Sequence, residues 1–387
     1  MTEVAPNAAM AEPLIILLDT IAGKDKQPNA LCGSLTRRIR TCAYKTGVYP
    51  ALKIFAVMCL LLSAASAARA QIDADLVAKR RLFAPMGPGL KQIREGADGK
   101  IYVLASPSPG LVVYSPEARR LLTMREAAGL SPAALAEAKA SGDVLVEFGE
   151  DFDIDAEGTI YVADRAANNV QVYSKEGRHL KTIAVKAPVA VAAMPEGEIA
   201  VGTMQQEDLL TVFDKTGRLV RDFGDPEPLT ARKDLNRFLN LGTMATDAMG
   251  HLYYGFKFFP EPTVRQFDRF GYAGEDVRYT AIDAMPEAAA MRREIARQES
   301  RGDTPRFRQV MTAMGVEKQT GEVWIAVGNM LLRFDKEGNR RATFRLYTPQ
   351  NARLEAVAIV VEKNRLIIGG DPIGIYEFER LDKPDKK

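Results

Sequence analysis

The chain is poor in the residues from which metal and thiol chemistry is built. Its 387 residues include only 2 His, 3 Cys and 1 Trp. Two histidines cannot make a three-histidine zinc site, and a Ser-His-Asp triad would have to recruit one of them. His179 and His251 each sit close to a hairpin-turn glycine, Gly177 and Gly250, where solvent-facing turn residues are expected. All three cysteines, Cys32, Cys42 and Cys59, fall within the first 70 residues, so disulfide and thiolate chemistry are excluded beyond them. Charge of one sign is lacking too: 52 basic residues face 50 acidic ones, a net +2 that offers no footprint for nucleic acid. No Gly-rich loop follows a strand and opens a helix, so no nucleotide site is marked. A hydrophobic share of 47% and a charged share of 26% exclude wholesale disorder.

The apolar run Ile54 to Ala68 is about 15 residues long, short of the ~20 that span a bilayer. Arg37, Arg38, Arg40, Lys45 and Lys53 precede it, and Ala68-Arg69-Ala70 closes it with the A-x-A pattern of a signal-peptidase site. This is the organisation of a secretory signal peptide, placed at residues 36–70. Residues 1–35 are then expected to be a non-native or disordered extension. Cleavage before Gln71 leaves residues 71–387 as a periplasmic or secreted protein with no membrane span. The leader carries 8 basic and 4 acidic residues, so the remainder holds 44 against 46 and no basic arm.

What is present is a repeat. Residues 152–183, FDIDAEGTIYVADRAANNVQVYSKEGRHLKTI, show it best: a turn with Gly, an Ile-Tyr-Val strand, a loop, and a second strand ending in an aromatic. The unit recurs at 97–114, 195–217, 249–271, 320–338 and 363–378. Each copy reads as an antiparallel meander of four strands, rich in β-branched and aromatic residues and punctuated by Gly turns. Six such meanders in tandem predict an all-β, six-bladed β-propeller, in which radial packing protects the sheet edges. At roughly 40–45 residues per blade, six blades use about 255 of the residues in 71–387. Two short helical insertions take up the surplus: Ala127 to Ser141, opened by Ser131-Pro132, and Asp283 to Arg301. The sixth copy stops after its third strand, so Leu76 to Ala84 is expected to supply the missing outer strand and close the ring.

The 152–183 copy resembles the NHL repeat, matched by Asp155, Gly158, Ile160, Tyr161, Val162, Ala163, Asp164, Asn168 or Asn169, Val170, Gln171 and Val172. The likeness covers roughly residues 90–380 and looks like the secreted bacterial six-bladed propellers of that type. Elsewhere it is looser: Gly202 stands where Asp164 does, and Asn364 where the turn has Gly. The resemblance implies a binding scaffold, with propeller lactonases and lyases among its relatives, so it implies fold before chemistry.

Two sets of candidate residues follow. Asp151, Asp153 and Asp155 alternate, which puts three carboxylates on one face of a strand. Hard oxygen ligands suit Ca²⁺, which the resemblance to lactonases also implies; otherwise no cofactor is marked. Asp155 is equally the repeat's own turn aspartate, with Asp247 in the same place in the fourth copy. The second set lies on the loops joining second to third strands, which share a face with the entries to the innermost strands. These loops carry Arg165 and Asn168, Gln205 and Gln206, Lys257 with Phe258 and Phe259, and Asp371. Adjacent aromatics beside a cation point to a binding surface. The expectation is an exported, monomeric binding module that presents this face to a protein, peptide or glycan. A metal-dependent, lactonase-like hydrolase or lyase is the alternative.

Overall fold

The Asp-x-x-Gly-x-Ile-Tyr pattern folds as a hairpin whose turn is held by its own aspartate. Asp155 Oδ1 accepts the backbone N–H groups of Glu157 and Thr159 at 3.1 and 2.7 Å, and the Tyr161 hydroxyl donates to Oδ2 at 3.0 Å. Gly158 takes a φ of +87°, which a side chain would strain. The same spacing at Asp247, Gly250 and Tyr253 gives the same turn. Asp247 accepts from the N–H groups of Met249 and His251, both at 2.9 Å, and from the Tyr253 hydroxyl at 3.2 Å. Capping of local N–H groups is what makes aspartate a turn former.

These hairpins recur in a ring. A computed structural model describes residues 72–83, 89–106, 109–127, 130–141, 145–205, 207–280, 285–301 and 304–381. The residues assigned above to the extension (1–35) and the signal peptide (36–70) lie outside them. Two strands open the described chain, β1 (Ala74–Val77) and β2 (Arg80–Arg81). Blade 1 is then β3 (Leu90–Glu95), β4 (Ile101–Ala105), β5 (Gly110–Tyr114) and β6 (Arg120–Glu126), with the short β7 (Leu145–Val146) added in parallel. Blade 2 is β8 (Gly149–Ile154), β9 (Ile160–Asp164), β10 (Asn169–Tyr173) and β11 (His179–Ala184). Blade 3 is β12 (Pro188–Ala193), β13 (Ile199–Thr203), β14 (Leu210–Phe213) and β15 (Leu219–Phe223). Blade 4 is β16 (Gly242–Thr246), β17 (Leu252–Phe256), β18 (Thr263–Phe267) and β19 (Val277–Arg278). Blade 5 is β20 (Ala313–Val316), β21 (Val323–Val327), β22 (Met330–Phe334) and β23 (Arg340–Tyr347). Blade 6 is β24 (Glu355–Val361), β25 (Arg365–Asp371) and β26 (Gly374–Glu379). Each inner strand packs on the next around the ring, β24 returning to β3. The fold is a six-bladed β-propeller.

Blades bury both faces against their neighbours, so second strands such as β4, β9, β17 and β21 are buried along their whole length, and all but β9, which ends in Asp164, read as unbroken apolar runs. Outer strands such as β11 and β15 are mostly exposed. The core is therefore shared out between blades. Trp324, Phe344 and Phe378 join blades 5 and 6, and Tyr102 and Phe152 join blades 1 and 2.

The ring is closed by the expected segment, though not by all of it. β2 pairs antiparallel with β26, Arg80 opposite Glu377 and Arg81 opposite Tyr376, and becomes the outer strand of blade 6. β1 instead runs parallel to β23 on blade 5, from Ala74 opposite Phe344 to Val77 opposite Tyr347. Ala84 lies outside the described residues.

Three helices are described where two were expected. α1 (Pro132–Ser141) and α3 (Pro286–Arg301) are the expected insertions, although Asp283 lies outside the described residues. Between them in the chain lies α2 (Lys233–Leu239). It has no side-chain N-cap and only about two turns, which leaves little periodic signal to read. Every one of the three sits between an outer strand and the next inner strand, so all lie on the face that carries the second-to-third loops. Among the described residues no helix is long and apolar enough to cross a membrane.

Candidate functional site

The inner strand of each blade is a sheet edge. Its channel-side N–H and C=O groups have no ladder partner and must be met by side chains or water. Blades 1 and 2 supply most of the side chains, and Thr246 of blade 4 donates to the Ala193 carbonyl at 3.1 Å. Asp151 Oδ2 accepts the Val191 N–H at 3.2 Å and Asp153 Oδ2 accepts the Ala193 N–H at 2.8 Å, both on β12 of blade 3. Asp151 Oδ1 takes its neighbour Phe152 N–H at 2.9 Å and the Gln92 amide at 3.4 Å. Burial pushes the Asp151 carboxyl up, against the pull of Arg94 and Lys257.

Arg94 crosses the channel. Its Nε donates to Asp153 Oδ1 at 3.1 Å, and its Nη2 donates at 3.0 Å to the Met244 carbonyl on β16. Blade 4 lies opposite blade 1 in a ring of six, so this side chain is a bar across the axis. The inner strands of blades 3 to 5 contribute mainly small or apolar residues, so the charged chemistry sits on the wall made by blades 1 and 2.

The three alternating aspartates are not brought to one point. Asp151 and Asp153 share a side of β8, as alternation requires, but their carboxylates bind blade 3 backbone and Arg94. Asp155 lies past the strand end and is engaged in its own turn. Among the described residues no group of three or more His, Cys, Asp or Glu is placed to hold a metal ion.

On the hairpin side of Arg94 the channel widens into a funnel of about 940 Å³. It is lined by the ends of all six inner strands and by the turns that follow them. The lining holds eight carboxylate residues against three cations, Arg94, Lys318 and Lys363. Asp155, Asp247 and Glu317 hold the turns themselves, whereas Glu157 and Glu196 stand exposed at turn tips. Glu95 is pushed up to about 7, first by burial and then by the neighbouring Glu362. Arg365 Nε donates to both Glu362 oxygens at 2.8 Å and its Nη2 lies 3.8 Å from Glu95. Beyond the funnel wall the blade 4 hairpins expose Met249, Phe270 and Tyr272 at 72%, 58% and 75%.

The opposite, loop-face mouth gathers some of the expected residues. Arg165 Nε and Lys91 Nζ each pair with Glu150 at 2.6 Å, and both cations lie over the Phe148 ring. Lys257, at the end of β17 on blade 4, has its pKa lowered by burial against the attraction of Asp151 and Glu150. Asn168 is exposed at φ +54°, with its Oδ1 accepting the Ala187 N–H at 2.9 Å in the link between blades 2 and 3. Gln205 is exposed with its N–H on Thr203 Oγ1, Asp371 is exposed on blade 6, and Gln206 lies outside the described residues.

The aromatic pair departs from expectation. Phe258 and Phe259 are buried, at 8% and 5% exposure, and form no exposed surface. Phe258 packs on Phe238 of α2 with centroids 4.6 Å apart, in a cluster with Leu235, Met291 and Ile295 of the helices. Phe259 stacks on Phe256 at 3.9 Å. The unread helix α2 covers the ring that sequence alone leaves bare.

The residues sequence reasoning missed are Lys91, Gln92, Arg94, Glu95, Glu150 and Glu362. A signal for most of them existed. Inner strands β3 and β8 read LKQIRE and GEDFDI, where β12 reads PVAVAA and β20 reads AMGV. Charge inside an otherwise apolar inner strand marks a channel wall.

Fold and channel together define a β-propeller. No protein-family model matches the chain, and none of the curated proteins compared matches it. Solved structures similar to it include U3-55K, at 10% identity and a TM-score of 0.50, covering 78% of this chain and 98% of that one. Virginiamycin B lyase from Staphylococcus aureus is similar at 14% identity and 0.43, covering 78% and 88%. The WD40 repeats of RRP9 are similar at 10% and 0.48, covering 78% and 92%. At such identities the likeness is one of fold.

Proposed function

We propose that the protein is an exported, non-catalytic binding propeller that seats a basic peptide or protein segment in the funnel of its hairpin face. The observation that carries this reading is the 940 Å³ funnel with eight carboxylate residues against three cations. A concave, low-dielectric wall with an excess of one sign focuses its field and raises the local concentration of the opposite charge. The loop face is a weaker seat, since its aromatic pair is buried, Phe258 among residues of α2 and α3 and Phe259 against Phe256. Export rests on the signal-like order of residues 36–70.

Fluorescence anisotropy with a labelled oligolysine and a matched oligoglutamate tests the reading. The basic peptide is expected to bind and the acidic one not. The exposed pair Glu157→Lys and Glu196→Lys is expected to weaken binding more than about 10-fold, and raised salt should weaken it further. Equal binding of both peptides, or indifference to the double substitution, overturns it.

A further inference from the structure

The hairpin turns of the blades repeat one device. In the first hairpins of blades 1, 2 and 4 a glycine N–H bonds the carbonyl three residues back: Gly99 to Gly96, Gly158 to Asp155 and Gly250 to Asp247. In the second hairpins of blades 1 to 5 the same bond closes the turn, as from Gly177 to Ser174 and from Gly271 to Asp268. The residue before each donor is the turn tip. First-hairpin tips are Asp98 and Glu157 in blades 1 and 2, but Met249 in blade 4. Second-hairpin tips are Glu117, Glu176, Thr216 and Glu337, but Phe270 in blade 4. The residue after the second donor is Arg119, Arg178, Arg218 or Asn339, but Tyr272 in blade 4. The other blades make the same turns with polar residues, so the turns do not require apolar ones. Among the described residues, Met249, Phe270 and Tyr272 are the three most exposed large hydrophobic side chains.

The second of these turns is firmly seated. The Arg269 guanidinium lies over the Phe270 ring, 4.6 Å from its centroid. The Arg269 carbonyl accepts from Arg221 Nη2 of blade 3 at 2.9 Å, and a Cβ on Gly271 would come within 2.8 Å of the Phe223 ring. The first turn is continuous with the funnel. Ala248, the neighbour of Met249, lines it, and a Cβ on Gly250 would come within 2.7 Å of the funnel-lining Pro195. Two hairpin turns of one blade lie two strand spacings apart, about 10 Å, which about three extended residues span. A segment leaving the funnel over Met249 therefore meets Phe270 and Tyr272 next.

Charge selects the occupant. Anionic lipid headgroups, or the same face of a second copy, would bring negative charge against the acidic funnel. A segment that is basic at one end and apolar at the other brings the complement of both surfaces. We propose that Met249, Phe270 and Tyr272 dock the apolar flank of the basic segment seated in the funnel, so that the partner carries lysine or arginine flanked within a few positions by large apolar residues. This rests on the funnel reading above and defines its partner more narrowly.

Fluorescence anisotropy tests it with labelled hexalysine and with hexalysine bearing a Phe-Gly-Gly-Leu tail at its N-terminus or its C-terminus. One tailed peptide is expected to bind more than about 10-fold tighter than hexalysine, the effect of burying a large apolar side chain. A triple variant, Met249→Ser, Phe270→Thr and Tyr272→Asn, takes its second-turn residues from blades 3 and 5. It is expected to melt with the parent, to bind hexalysine as the parent does and to lose the gain from the tail. Should it fail to fold, Tyr272→Asn alone is expected to reduce that gain. If hexalysine binds and neither tail tightens it, the docking surface is overturned and the funnel stands; if hexalysine does not bind, both fall. A gain that survives the substitutions also overturns the surface. So does a dimer, or binding of the protein alone to phosphatidylcholine–phosphatidylglycerol vesicles, that the substitutions abolish.

Discussion

Glu95 is a carboxyl whose folded state holds on to a proton. Its folded pKa of about 7 lies above the ordinary 4.5. The native chain therefore binds more protons than the unfolded chain between those values. Glu95 contributes stability that is fully present below about pH 4.5 and is lost as pH rises through about 7. In Glu95→Gln that dependence disappears, so between about pH 5 and pH 8 the variant's melting temperature should fall less than that of the parent. Identical slopes would show that the carboxyl titrates as it does in water. At the same scale, Phe258→Ala empties a ring-sized space among Phe238, Leu235 and Met291. Chemical denaturation should show a loss of about 3–5 kcal/mol. Oligolysine binding by the folded variant should be unchanged, because the ring is far from the funnel. Residues that act locally were legible in the sequence: Asp155 and Tyr161 meet six positions apart, within one hairpin. Phe258 was not, because its burial depends on α2, some twenty residues earlier.

Among the elements, the pair β1 and β2 carries the largest consequence for its length. Six residues in strands tie two blades, with Leu76 and Phe83 buried at 4% and 6%. Burying a side chain of this kind is worth about 1.5–3 kcal/mol. Removal of residues 72–83 should therefore cost about 3–6 kcal/mol and leave β26 as an open edge prone to pairing with another chain. A protein lacking this segment, unfolded in guanidinium, should show a lowered midpoint and greater aggregation. An unchanged midpoint would mean that the ring does not depend on its N-terminal strand. This closure was legible by counting, because the sixth repeat lacks its outer strand. That β1 goes to blade 5 was not, since parallel pairing at a sheet edge leaves no turn or register signal in the sequence.

For the molecule as a whole, the charge balance conceals a segregation. Residues 71–387 hold 44 basic and 46 acidic side chains, yet the funnel holds three against eight. No run of the sequence shows this, because each hairpin turn contributes only one or two acids and the ring assembles them. Arg94 stands at the inner end of that funnel and bridges its walls, from Asp153 on blade 2 to the Met244 carbonyl on blade 4.

Closure also sets a clock. Arg80 must wait for Glu377, 297 residues later, before blade 6 has its outer strand. At ~5–20 residues per second of synthesis that wait lasts roughly 15–60 s. For most of that interval the nascent chain carries Leu76 and Phe83 without their final cover, since β1 gains a partner only when β23 is made and β2 only with β26. The vulnerable period of this protein is its birth, and whatever receives the emerging N-terminal segment must hold it until the last blade arrives.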